Sequence, residues 1–97
     1  MRVQVLSFRG CPHHERTVAR VRQALASAQL AAPVDEIWVS DTDAPAGFAG
    51  SPTVLVNGRD VEPAPPAMGP ACRRYADAGA PSLAALARGL DRGQREP

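Results

Sequence analysis

Four side chains in this 97-residue chain belong to the types that make strong nucleophiles or soft metal ligands near neutral pH: Cys11, His13, His14 and Cys72. Three of them share the segment Gly10-Cys11-Pro12-His13-His14-Glu15. A thiolate, not a thiol, is the nucleophile in cysteine chemistry, so the surroundings of Cys11 decide what it can do. A short apolar run precedes it and a helical pattern follows, which puts Cys11 at the N-terminus of a helix. The unpaired N–H groups and partial positive charge there favour a thiolate. His13 and His14 add positive charge when protonated. The spacing Cys11-x-x-His14 is also that of a metal half-site. With Cys72 and His13 it would form a soft ligand set for zinc, copper(I) or mercury(II). One half-site and a separate cysteine make a weak metal signature. The plainer alternatives are an inert, packed Cys11 and two polar histidines in a first helical turn. Arg73 and Arg74 follow Cys72 and would stabilise its thiolate or hold an anionic thiol such as glutathione; otherwise they are a solvated pair. Asp41 and Asp43 read as turn and cap residues, and Trp38 as core.

The elements that would position these groups follow from periodicity. Val3–Phe8 is short, apolar and rich in β-branched residues, the pattern of a buried strand. From Pro12 to Leu30 the apolar residues Val18, Val21, Leu25 and Ala28 recur at helical spacing. Pro12 suits a first helical turn, where its missing N–H loses nothing. A second strand covers Val34–Ser40, and strand-helix-strand order implies a right-handed crossover joining a parallel pair. Asp41–Ser51 reads as a loop with a helical turn ending at Phe48. Pro52–Val56 is a third strand. Asn57-Gly58 then signals a type I′ hairpin turn, because both central residues need φ > 0. Arg59–Glu62 returns as a charged edge strand. Pro63–Pro70 is a Pro- and Ala-rich loop, followed by a turn or short helix over Ala71–Ala78. Ser82 caps a last helix that includes Leu83, Leu86 and Leu90. The expected domain is 1–92, with 93–97 a frayed tail.

The resulting order, β-α-β-β-β-α, carries its special residues at the end of strand one and the start of strand three. It resembles the thioredoxin and glutaredoxin superfamily. The resemblance rests on Gly10-Cys11-Pro12-His13-His14 and on Gly50-Ser51-Pro52-Thr53, and it spans Val3 to Leu90. Short bacterial thioredoxin-like proteins with a Cys-Pro segment before a helix and a late Cys-Arg pair are similar in particular; here that pair is Cys72-Arg73. The resemblance implies an α/β, thioredoxin-like fold, a small mixed sheet flanked by helices. It implies a cis peptide bond before Pro52, beside Cys11. It also implies a thiol-disulfide oxidoreductase in which Cys11 attacks, His14 tunes or shuttles a proton, Pro52 orders the substrate backbone and Cys72 resolves. Pro12, His13, Ser51 and Arg73 would line the substrate site. His14 stands where the usual motif has its second cysteine, so exchange within the motif is ruled out. A monothiol cycle, a metal-handling thiol protein and a non-catalytic thioredoxin-like binding module stay open beside it.

Composition narrows the class. Lysine is absent, and 11 arginines nearly cancel 10 acidic residues, for a net charge of +1. No basic stripe with interleaved aromatics marks a nucleic-acid interface. No apolar stretch approaches the roughly 20 residues of a membrane span. Val3–Phe8 lacks the small-residue cleavage site of a signal peptide and is needed as a strand. The expectation is a cytoplasmic protein without a cofactor, acting on a protein or low-molecular-weight thiol or disulfide. Two cysteines in such a chain fit catalysis or metal binding better than a structural staple.

Overall fold

The computed structural model describes residues 1–40, 48, 50–62 and 80–95. Cys72, Arg73, Arg74, Asp41, Asp43, the Pro63–Pro70 loop and the turn or helix expected over Ala71–Ala78 lie outside the described residues. The elements run β1 (Val3–Phe8), α1 (His14–Ser27), β2 (Val34–Val39), β3 (Thr53–Val56), β4 (Arg59–Asp60) and α2 (Leu83–Arg95).

The four strands form one mixed sheet in the order β2-β1-β3-β4. β1 pairs in parallel with β2, in the register Ser7 to Trp38, and antiparallel with β3, in the register Leu6 to Thr53. β1 is thus internal and nearly all buried, which explains why four of its six residues are apolar. Asn57 and Gly58 take φ of +52° and +81°, matching the I′ turn that the dipeptide signals. β4 is shorter than the expected Arg59–Glu62. Its register with β3 ends at Asp60, whose side chain accepts the Glu62 N–H.

Side chains alternate across the sheet. Val3, Val5, Val54 and Val56 form one core with Val18, Val21 and Leu25 of α1 and Leu86 and Leu90 of α2. Both described helices therefore share one face, whereas a sheet flanked by helices is the sequence-based expectation. On the other face Leu6, Val39 and Leu55 pack with Phe8, Ile37 and Phe48.

Helix boundaries depart from the sequence reading for identifiable reasons. α1 begins at His14, not Pro12, because Pro12 is used in a turn before the helix. It ends at Ser27, not Leu30. Gln29 adopts φ +57°, while Gln29 N–H donates to Ala26 and Leu30 N–H to Leu25. That is a Schellman cap with glutamine in the position glycine usually takes. Ser82 caps α2 as the sequence suggests, accepting the Ala85 N–H. The helix then continues to Arg95, past the boundary expected at residue 92. Gly89 and Gly93 act as close-approach positions here. A Cβ on Gly89 would lie 2.5 Å from Val61 Cγ1, and one on Gly93 2.6 Å from Val56 Cγ1.

Candidate functional site

Two consecutive turns carry Cys11. In the first, Cys11 N–H donates to Phe8 C=O at 3.1 Å, with Gly10 at φ +81°. This is the positive-φ third position of a type II turn, which glycine fills without steric conflict. In the second, His14 N–H donates to Cys11 C=O at 3.3 Å. Pro12 holds the second position and His13, at φ −106° and ψ 0°, the third, the geometry of a type I turn. Both backbone polar groups of Cys11 are therefore used. Its thiol is free and partly exposed. Cys11 precedes the helix by a full turn instead of occupying its first turn.

His14 is the buried centre of this region. It is 4% exposed, the first residue of α1, and points at the sheet. Its Nδ1 lies 2.7 Å from Ser7 Oγ on β1, and its Nε2 lies 2.8 Å from Glu36 Oε1 on β2. The register explains the meeting. Val5 pairs with Glu36 and Ser7 with Trp38, so Ser7, Glu36 and Trp38 share one face at neighbouring positions. The His14 and Trp38 rings stack at a tilt, centroids 4.3 Å apart. The Arg9 guanidinium sits 5.0 Å from the Trp38 ring centroid.

Both His14 nitrogens are thus engaged by protein oxygens. Ser7 accepts or donates as the tautomer requires, so the ring is satisfied neutral or protonated. A metal ligand needs a free nitrogen lone pair, and a proton carrier to Cys11 needs a free N–H or lone pair on that side. His14 offers neither, which speaks against it as a ligand with Cys11 and as a direct shuttle. Among the described residues no group of three or more His, Cys, Asp or Glu is placed to hold a metal ion.

The remaining candidates divide by exposure. Ser51 is fully buried, and its hydroxyl accepts the Phe8 N–H at 3.1 Å. It ties β3 to β1 and does not present its side chain to a substrate. The Ser51–Pro52 peptide bond is cis, and Pro52 is buried. Because β1 and β3 are antiparallel, Ser51-Pro52 and the Cys11 turns occupy the same end of the sheet. His13 is half-buried and serves as the N-cap through its carbonyl, which accepts the Thr17 N–H and hydroxyl. Its own Nδ1 is buried without a partner. Pro12, Arg9 and Trp38 face solvent. Trp38 is 39% exposed, not core, because β2 is an edge strand.

Ser7, Glu36 and Arg9 are the site residues that motif reading misses. A signal for two of them is present: Ser7 and Glu36 are polar at positions where the period-2 pattern calls for apolar, inward-facing residues. No family model, curated protein or solved structure matches this chain.

Proposed function

We propose that this is a thiol-disulfide exchange protein of thioredoxin-like build, with Cys11 as the attacking sulfur. The observation that carries the reading is the setting of Cys11. A free, partly exposed thiol is held between two hydrogen-bonded turns where an internal strand hands over to a helix. An inert structural cysteine would be packed into the core, and neither core cluster contains it.

The chemistry is a two-step exchange. The Cys11 thiolate attacks one sulfur of a substrate disulfide, forming a mixed disulfide and expelling the other sulfur as a thiolate. A second thiol then attacks that mixed disulfide and forms a new disulfide: attack on the bound half's sulfur frees Cys11, whereas attack on the Cys11 sulfur frees the bound half as a thiol. The second thiol is an external one, or Cys72 where it attacks the Cys11 sulfur and leaves a Cys11–Cys72 bond. Two electrons pass from thiols to the substrate disulfide. His14 is an anchor in this scheme: it fixes the first turn of α1 to β1 and β2, and its N–H holds the turn that carries Cys11. A reducing compartment such as the cytoplasm would sustain the cycle. The metal-handling alternative is less well supported, because His14 has no nitrogen to spare.

The test is trapping. Reduced protein is mixed with hydroxyethyl disulfide and followed by mass spectrometry with peptide mapping. Wild type should gain the adduct at Cys11 faster than a peptide of residues 8–15, and Cys11→Ser should lose it. Accumulation of the adduct in Cys72→Ser would assign Cys72 as the resolving thiol; unchanged turnover would assign an external one. A Cys11 no faster than the peptide, or exchange surviving in Cys11→Ser, would sink the proposal in favour of a binding module.

A further inference from the structure

We infer that Arg9 and Trp38 form a recognition site beside Cys11 that selects disulfides bearing carboxylates. The inference deepens the exchange reading and rests on it. Arg9 and Trp38 are both exposed, and the guanidinium lies 5.0 Å from the ring centroid. Stacking of this kind restrains an otherwise mobile cationic side chain while leaving the N–H edge of the fork open. Among the described residues no carboxylate pairs with Arg9. A pinned guanidinium with five donors and no acidic partner among the described residues is arranged to bind a carboxylate in two-point fashion.

Its placement ties it to the nucleophile. Arg9 and Cys11 flank Gly10 in one turn, so their Cα atoms are at most about 7 Å apart. Trp38 in turn is held from inside the protein: its ring rests on His14, which Ser7 and Glu36 fix. The buried chain thus presents an aromatic plate, the plate restrains a cation, and that cation belongs to the residue two before the nucleophile in the same turn. Of the nearby charges among the described residues, Glu36 is hydrogen-bonded to His14 Nε2, and Glu15 and Arg16 in the first turn of α1 are opposite in sign. The net charge of +1 is too small to attract anions by itself, so charge selectivity must arise locally.

The substrates so chosen are disulfides with a carboxylate near the sulfur. In the exchange step Cys11 bonds to one half of the molecule, and the other half leaves as a carboxylate-bearing thiolate. Arg9 steadies the negative charge on either half.

Two small disulfides of opposite charge test this, 3,3′-dithiodipropionate and cystamine. Exchange rates of each with wild type are measured by mass spectrometry and expressed as their ratio. Arg9→Gln should lower the dithiodipropionate-to-cystamine ratio about tenfold, roughly threefold from each arm, the scale of one exposed charge pair. Arg9→Lys should recover part of the loss, and Trp38→Leu should lie between Arg9→Gln and wild type. Added salt should compress the wild-type ratio toward that of Arg9→Gln. An unchanged ratio in Arg9→Gln, or a ratio that follows Arg73→Gln instead, overturns the assignment and leaves the exchange reading intact. Absence of exchange at Cys11 with both disulfides overturns both.

Discussion

Replacing His14 by alanine tests whether the buried chain Ser7–His14–Glu36 holds the site together. His14→Ala strands Ser7 Oγ, which is fully buried, without its partner. An orphaned buried hydroxyl costs about 1–3 kcal/mol. The lost ring also leaves a cavity against Trp38, which for a partly collapsing site adds about 1–2 kcal/mol. The sum, roughly 3 kcal/mol, is a large share of the ~5–15 kcal/mol available to a domain this size. It corresponds to a fall in melting temperature of roughly 12–24 °C. Ser7→Ala leaves His14 Nδ1 unpaired and should cost about 1–2 kcal/mol. Glu36→Gln keeps an acceptor for Nε2. The Glu36 side chain is 41% exposed, so the lost charge is screened and the effect should stay below about 1 kcal/mol. His13→Ala is the control. The ring makes no capping bond and its Nδ1 is already unpartnered, so the change should stay within about 0.5 kcal/mol. The Ser7→Ala, His14→Ala double variant should cost about 1 kcal/mol less than the sum of its parts. Urea unfolding under reducing conditions reads all five. Equal midpoints for His13→Ala and His14→Ala, or a Glu36→Gln loss exceeding that of Ser7→Ala, would refute the claim that burial of the partner sets each bond's worth.

Two backbone predictions concern the elements around the site. Gly89→Ala should destabilise by about 1–2 kcal/mol despite the better helix propensity of alanine, because its Cβ would meet the stiff, buried side chain of Val61. The same substitution made together with Val61→Ala should show positive coupling in denaturant melts, and a simple sum of the two losses would contradict the contact. Gln29→Gly should stabilise by about 1 kcal/mol by removing a Cβ from the left-handed position of the α1 cap, and a lower melting temperature would contradict that reading.

Much of the frame is legible in the sequence because local chemistry dictates it. β1 reads as a strand since its short run is dominated by apolar and β-branched residues, and Asn57-Gly58 reads as a turn since few other pairs tolerate two positive φ values. Legibility fails where tertiary contact overrides local preference. Gly93 reads as the start of a tail, yet Val56 of the sheet packs against a side-chain-free helix face there, so α2 runs on to Arg95. Gln29 gives no sign of a left-handed residue, and α1 ends three residues early. Trp38 reads as core from its type alone, but strand order makes β2 an edge, and strand order is not written in any single strand. The site shows the same division. Cys11 and its turns are visible as Gly10 and Pro12 around a cysteine. The partners of His14 are not, because they come from two strands whose pairing register brings Ser7, Glu36 and Trp38 together.

That register gives a physical meaning to the histidine at position 14. A side chain there enters the space between α1 and the β1–β2 pair, where Ser7 and Glu36 are polar and need partners. Imidazole spans the gap with one nitrogen on each strand. A cysteine could satisfy neither oxygen as well, since its S–H is a single weak donor. The polar pair and the histidine therefore form one unit, and the second thiol of a two-cysteine motif is incompatible with it. In the exchange reading, resolution then comes from outside the motif. A disulfide needs Cα atoms within about 7 Å. An intramolecular partner for Cys11 must therefore reach the partly exposed thiol from solvent, where its sequence neighbours Arg9 and Pro12 are also exposed. An external thiol needs the same access, so under the proposed selection by Arg9 the releasing thiol would pass the same cation as the disulfide.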